Sequence, residues 1–152
     1  MNEKLKKAAE LLLDLTKANN SVAANRLNLS IVADDLVTAV GRLRDARWGY
    51  LSAITGLDLD QGNGAGKIEV LYQFCAGDDV LTLRILLERA APTIHSLCPI
   101  NPSANVLEWE LSEMFGITIA DSKNPKHLYL PDEWPDGVYP MRKDAAVELA
   151  TT

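Results

Sequence analysis

The sequence is poor in the residues that build metal and redox centres, since its 152 residues include only two cysteines and two histidines. Cys75 and Cys98 form no CxxC pair, so the chain cannot supply a zinc ribbon or the four thiolates of an iron–sulfur cluster. His95 and His127 are also far apart, and neither has a second ligand at metal-binding spacing. We therefore expect free thiols, and no metal or cofactor bound by this chain.

Positive charge and long apolar runs are scarce as well. The chain has 15 Lys and Arg against 21 Asp and Glu, a net charge of −6, whereas nucleic-acid binders cluster basic residues to neutralise phosphates. No apolar run approaches the roughly 18 residues of a membrane helix. Glu10 and Asp14 interrupt the N-terminal segment, which therefore lacks the apolar region of a signal peptide. We expect a cytoplasmic protein that contacts neither nucleic acid nor, by itself, the bilayer.

The residues that are present, 47% of them hydrophobic, suffice for one packed domain. Apolar residues recur every three or four positions over residues 3–17, which predicts a helix that ends at Asn19 and Asn20. Alternation over residues 26–32 predicts a strand. A second helix should follow, with its apolar face formed by Leu36, Val37, Val40 and Leu43.

Three further apolar runs, over residues 48–57, 68–75 and 80–87, predict an antiparallel meander joined by a glycine-rich loop and a tight turn. A last helix is expected at about residues 103–115, ended by Gly116. This order predicts an α+β fold, with a mostly antiparallel sheet packed by helices in two layers. We place this domain at residues 1–119 and an extended partner-docking tail at 120–152.

Two patterns resemble known sites. Asp58, Asp60 and Glu69 occupy the first, third and last positions of a calcium-binding loop, but Gly62 and Asn63 depart from its pattern. A stand-alone calcium-binding module is therefore one alternative function.

The last helix carries the second pattern, an acidic cluster of Glu108, Glu110 and Glu113. Glu110 and Glu113 share a helix face and could act as a general acid–base pair, which makes a small carboxylate-based hydrolase another alternative. No His, Lys or metal ligand lies in the same segment. We therefore favour a solvated or partner-facing role for these carboxylates.

The tail combines four of the seven prolines with large apolar side chains such as Trp134 and Tyr139. Proline lowers the entropy of an extended backbone, and aromatic residues anchor interfaces. Two interpretations are open at this point. The tail wraps around another protein, or it folds back over its own domain.

In this region the sequence resembles the 30 kDa subunit family of respiratory complex I, the NADH-quinone oxidoreductase, and of membrane-bound energy-converting [NiFe] hydrogenases. The family helix reads A-x-W-x-E-R-E-x-x-D-M-F-G-I, and the matching residues here are Ala104, Glu108, Glu110, Met114, Phe115, Gly116 and Ile117. Residues 130–134 and 139–144 resemble the family's L-P-x-D-W and P-L-R-K-D. Three residues differ from the family motif: Glu113 replaces the Asp, Val106 replaces the Trp, and Trp109 replaces the central Arg. The amino-acid sequence of the tail favours the hydrogenase-type branch.

The resemblance implies a non-catalytic scaffold subunit of the peripheral arm, held at the inner face of the cell membrane through its complex. Its partners would be the large 49 kDa-like or hydrogenase subunit and neighbouring iron–sulfur subunits. Iron–sulfur clusters, a nickel–iron centre or quinone would be bound by those partners. The residues that we expect at the partner interface are Glu108, Trp109, Glu110, Glu113, Phe115, Leu130, Trp134, Tyr139, Arg142, Lys143 and Asp144.

Overall fold

The computed structural model describes residues 2–60 and 66–145. Its helices are α1 (Glu3–Leu11), α2 (Leu36–Asp45), which a short 3₁₀ turn precedes, and α3 (Ala104–Phe115). Its strands are β1 (Ala18–Ala23), β2 (Arg26–Ser30), β3 (Tyr50–Asp58), β4 (Lys67–Ala76), β5 (Asp79–Glu88), β6 (Thr93–His95) and β7 (Thr118–Ala120).

The main sheet has the strand order β1-β2-β5-β4-β3. The β2–β5 pair is parallel and the other pairs are antiparallel, while β6 and β7 form a small parallel sheet. The predicted meander corresponds to β3, β4 and β5. The predicted α+β class with a mostly antiparallel sheet is therefore confirmed, and the sequence pattern did not indicate the two parallel pairs.

One face of the main sheet forms the core with the helices. Alternate residues of β4 and β5 are buried there, among them Val70, Tyr72 and Leu83, together with Leu5 of α1 and Leu43 of α2. The opposite face is partly open, because Leu57 and Leu86 remain exposed on it. This arrangement gives the two layers that were expected.

The N-terminal region differs from the prediction. Helix α1 ends at Leu11, and residues 18–23, including Asn19 and Asn20, form the edge strand β1. Every residue of β1 is exposed, so no alternation of apolar residues marked it. Its pairing with β2 supplies backbone hydrogen bonds that outweigh the low strand preference of asparagine.

Two glycines allow close packing: Gly56 lets α3 approach β3, and Gly116 lets the tail approach the end of α3. A Cβ at Gly56 of β3 would lie under 3 Å from the ring of Phe115, and one at Gly116, where φ is 67°, would collide with the ring of Tyr139. The Nε of Arg142 donates to the carbonyl of Phe115 at 2.7 Å. The described part of the tail thus folds back over its own domain.

Candidate functional site

The three carboxylates of α3 have different surroundings, although Glu110 and Glu113 lie only about 60° apart around the helix. Glu108 faces the turn after β6, Glu113 faces the tail, and Glu110 faces the edge strand β3. Each carboxylate therefore has its own environment and its own role.

Glu108 is 1% exposed and holds the turn after β6. Its carboxylate accepts hydrogen bonds from Leu97 N at 2.5 Å and from Ser96 Oγ at 2.7 Å. The Cys98 thiol lies 3.3 Å from the same carboxylate. Burial raises the pKa of that thiol, and the nearby Glu108 charge adds to the effect. Cys98 is therefore a poor nucleophile.

Glu113 binds the tail through its backbone. The carboxylate accepts hydrogen bonds from the N–H groups of Leu128, Tyr129 and Leu130 at 2.9, 2.9 and 3.2 Å. Burial alone would raise the pKa of Glu113, but these three donors hold it below its usual value. We call this arrangement the Glu113 clamp.

A buried ion pair holds the last described part of the tail. Arg89, 5% exposed, donates to Asp58 at 2.9 Å and to Asp144 at 2.7 Å. Asp58 also accepts from the backbone N–H of Lys143 at 2.9 Å, and the Lys143 ammonium donates to the carbonyl of Asp60 at 2.8 Å. Burial works to raise the pKa of Asp58, yet backbone donors and the Arg89 charge lower it.

These contacts correct part of the predicted interface. We expected Glu108 and Glu113 to face solvent or a partner, but both carboxylates are buried and bound to groups of this chain. Buried carboxylates require donors, and the donors come from segments distant in sequence, which helix periodicity alone cannot identify.

The structure also opposes the two alternative functions. Glu110 and Glu113 line different cavities, and the pKa of Glu113 is lowered, whereas a general acid requires a raised one. Asp58 pairs with Ile68 across the β3–β4 ladder, and Glu69 pairs with Leu57, so these two carboxylates lie on opposite faces of the sheet. Glu69 is instead bound to Arg84, and the predicted calcium site does not form. Residues 61–65 of that loop lie outside the described residues.

Four of the remaining predicted interface residues line the contact between α3 and the tail. A cavity of about 370 Å³ lies there, bounded in part by Trp109, Leu130, Trp134 and Tyr139. The indole nitrogen of Trp109 is buried and has no acceptor among the described residues. Phe115 is buried against β3. Whether these side chains contact a partner stays a prediction.

Sequence reasoning missed Arg89 and Ser96, which complete the ion pair and the Glu108 site. The available signal for Arg89 was weak. It is a charged residue directly after the apolar run of β5, a position that usually marks only the end of a strand.

Stability should depend on acid pH through Asp58 and Glu113. Both pKa values are lowered on folding, so their stabilisation is present above the unfolded-state values of about 4 and is lost as pH falls through the folded-state values. We expect the free energy of unfolding, measured with urea, to decline below about pH 4. The double variant Asp58→Asn/Glu113→Gln should show a flatter decline. Equal slopes for both proteins would contradict this assignment.

The described residues contain no helix that is both long and apolar enough to cross a membrane. The sequence is similar to subunits of larger enzymes. Formate hydrogenlyase subunit 5 of Escherichia coli is 29% identical over 122 residues, covering 80% of this chain and 21% of the relative, so the chain spans about a fifth of that protein. NAD(P)H-quinone oxidoreductase subunit J of Prochlorococcus marinus is 32% identical over 126 residues, covering 77% of this chain and 69% of the relative.

A solved structure shares the fold. A chain of the membrane-bound sulfane sulfur reductase, an archaeal respiratory membrane complex, superimposes with a TM-score of 0.75 at 14% identity, covering 97% of this chain and 88% of the other. Residues 29–150 match the family described as "Respiratory-chain NADH dehydrogenase, 30 Kd subunit". This match spans most of the chain and confirms the resemblance, and the chain therefore belongs to the 30 kDa subunit family of respiratory NADH dehydrogenase.

Proposed function

We propose that this chain is a non-catalytic scaffold subunit of a complex I-like NADH:quinone oxidoreductase or an energy-converting hydrogenase. It docks on the large, 49 kDa-like subunit and lies on the cytoplasmic side of the membrane, held there by the complex. The redox centres belong to the partner subunits, and this chain contributes an ordered surface for them.

The observation that carries the proposal is the pre-ordered tail. The Glu113 clamp holds residues 128–130, and the Arg89 ion pair holds residue 144, so the segment between them is fixed at both ends. It nevertheless leaves Tyr129 62% and Met141 57% exposed. Ordered, exposed aromatic and methionine side chains suit a protein interface, because little entropy is lost when they are covered.

The organisation of one relative supports an assembly role. In formate hydrogenlyase subunit 5 the matching segment makes up 21% of the chain, so there the domain is covalently joined to a much longer polypeptide. A domain that is part of a longer polypeptide is expected to contact the rest of that polypeptide. We infer that this chain binds the same kind of partner.

The test is recovery of the large subunit. A tagged full-length chain purified from native membranes should bring the large subunit with it, and truncation after Ile119 should abolish the association because it removes the tail. Since truncation also removes the donors of Glu113, the exposed-residue variant Tyr129→Ala provides a folded comparison and should weaken recovery. Recovery that is undiminished after truncation would exclude the tail as the docking segment.

A further inference from the structure

Glu110 lies in a groove that contains neither the Glu113 clamp nor the Arg89 ion pair. The groove runs between the edge strand β3 and α3, and Glu110 is the one charged side chain among the described residues that line it. The other lining residues are Ile54, Thr55, Gly56, Leu111, Met114, Phe115 and Met141. The groove therefore presents a single carboxylate on a mostly apolar surface.

This carboxylate differs from its two neighbours on α3. Glu108 and Glu113 accept hydrogen bonds from donors of this chain, whereas the half-buried Glu110 makes no hydrogen bond or ion pair with any described residue. A partly buried carboxylate without a hydrogen-bond donor has a higher free energy than one that is paired with a donor. No described residue completes the site, and a donor from a partner protein would do so.

The walls of the groove indicate which donor fits. The cavity measures about 140 Å³, which is below the roughly 300 Å³ of small-molecule pockets and suits one long side chain. Met114 and the exposed Met141 provide adaptable apolar contacts for a methylene stem. Val106, one turn before Glu110 on α3, is 49% exposed and extends the apolar surface.

We propose that this groove is an anchor site for a basic side chain of the partner subunit, with arginine the best fit. Its guanidinium would pair with the Glu110 carboxylate, and its stem would pack on the two methionines. The net charge of −6 favours approach of a basic surface. The proposal rests on the proposed function, because it names the chemistry by which the partner is held.

The experiment compares matched glutamate variants in the intact complex. Glu110→Gln removes the charge and keeps the shape, Glu110→Lys reverses the charge, and Glu10→Gln makes the same neutral change at an exposed site on α1. Each tagged full-length chain is purified from native membranes over a series of salt concentrations. The amount of large subunit recovered is measured at each concentration.

We expect Glu110→Gln to weaken binding about tenfold and to flatten its salt dependence. Glu110→Lys should abolish recovery, and Glu10→Gln should match the unmodified chain. The Tm of the isolated Glu110→Gln chain should not fall, because the carboxylate has no donor among residues 2–60 and 66–145. A purely structural role would lower Tm together with binding.

Two outcomes overturn the anchor by itself. In one, Glu110→Gln recovers the large subunit as well as the unmodified chain does at every salt concentration. In the other, its loss of binding is matched by a loss of thermal stability. If the unmodified chain recovers no large subunit, the proposed function fails, and the anchor fails with it. The result with the unmodified chain therefore distinguishes the two failures.

Discussion

Replacing Arg89 by methionine is expected to lower the free energy of unfolding by about 3–5 kcal/mol. Methionine fills most of the volume but leaves Asp58 buried without its cation. Asp144 contributes less, because it is 58% exposed and its ion pair is screened by water. The predicted loss therefore comes mainly from the uncompensated charge of Asp58.

Urea unfolding followed by circular dichroism measures this loss. Arg44→Met is the matched control, because Arg44 is exposed and pairs with the exposed Asp45, and it should change stability by about 0.5 kcal/mol or less. The double variant Arg89→Met/Asp58→Asn should recover part of the loss, since it removes the buried charge. A loss under about 1 kcal/mol for Arg89→Met would show that the ion pair is not a major source of stability.

Replacing Glu113 by alanine should release the tail. Three backbone N–H groups lose their acceptor together, and each unsatisfied buried donor costs on the order of 1–3 kcal/mol. Because the freed N–H groups can form hydrogen bonds with water, we expect the free energy of unfolding to fall by about 3 kcal/mol, near the lower end of the total for three donors. Glu113→Gln keeps one carbonyl acceptor and should lose less.

Limited trypsin digestion detects the released tail. Lys123 and Lys126 lie in the exposed segment just before the clamp, so cleavage there should accelerate in Glu113→Ala. Glu133→Ala is the control, since Glu133 is an exposed tail residue and its removal should leave the digestion rate unchanged. An unchanged rate in Glu113→Ala would mean that other contacts hold the tail.

The strands of the meander could be predicted because each has a long apolar run and a turn at its end. Strand β1 could not be predicted, since all of its residues are exposed and several of them are polar. The parallel pairing of β2 with β5 depends on which edge of the meander is free, and no local pattern encodes that choice. Local sequence patterns thus indicated the strands of the meander, whereas long-range contacts determine which strands pair with each other.

The candidate site shows the same division. The position and length of α3 followed from its sequence, and the resemblance located the motif correctly. The burial of Glu108 and Glu113 did not follow, because a charged residue on a short helix is usually exposed. Most of their donors are backbone N–H groups, at residues 97 and 128–130, and backbone donors carry no residue-specific signature.

The Glu113 clamp therefore has a consequence for sequence variation within the family. It contacts peptide N–H groups, so the side chains at residues 128–130 can change freely without weakening it. Proline is the exception, since it has no N–H to donate. Pro131 follows directly after the last donor, at a position where proline is harmless. We expect related chains that keep an acidic residue at position 113 to exclude proline from residues 128, 129 and 130.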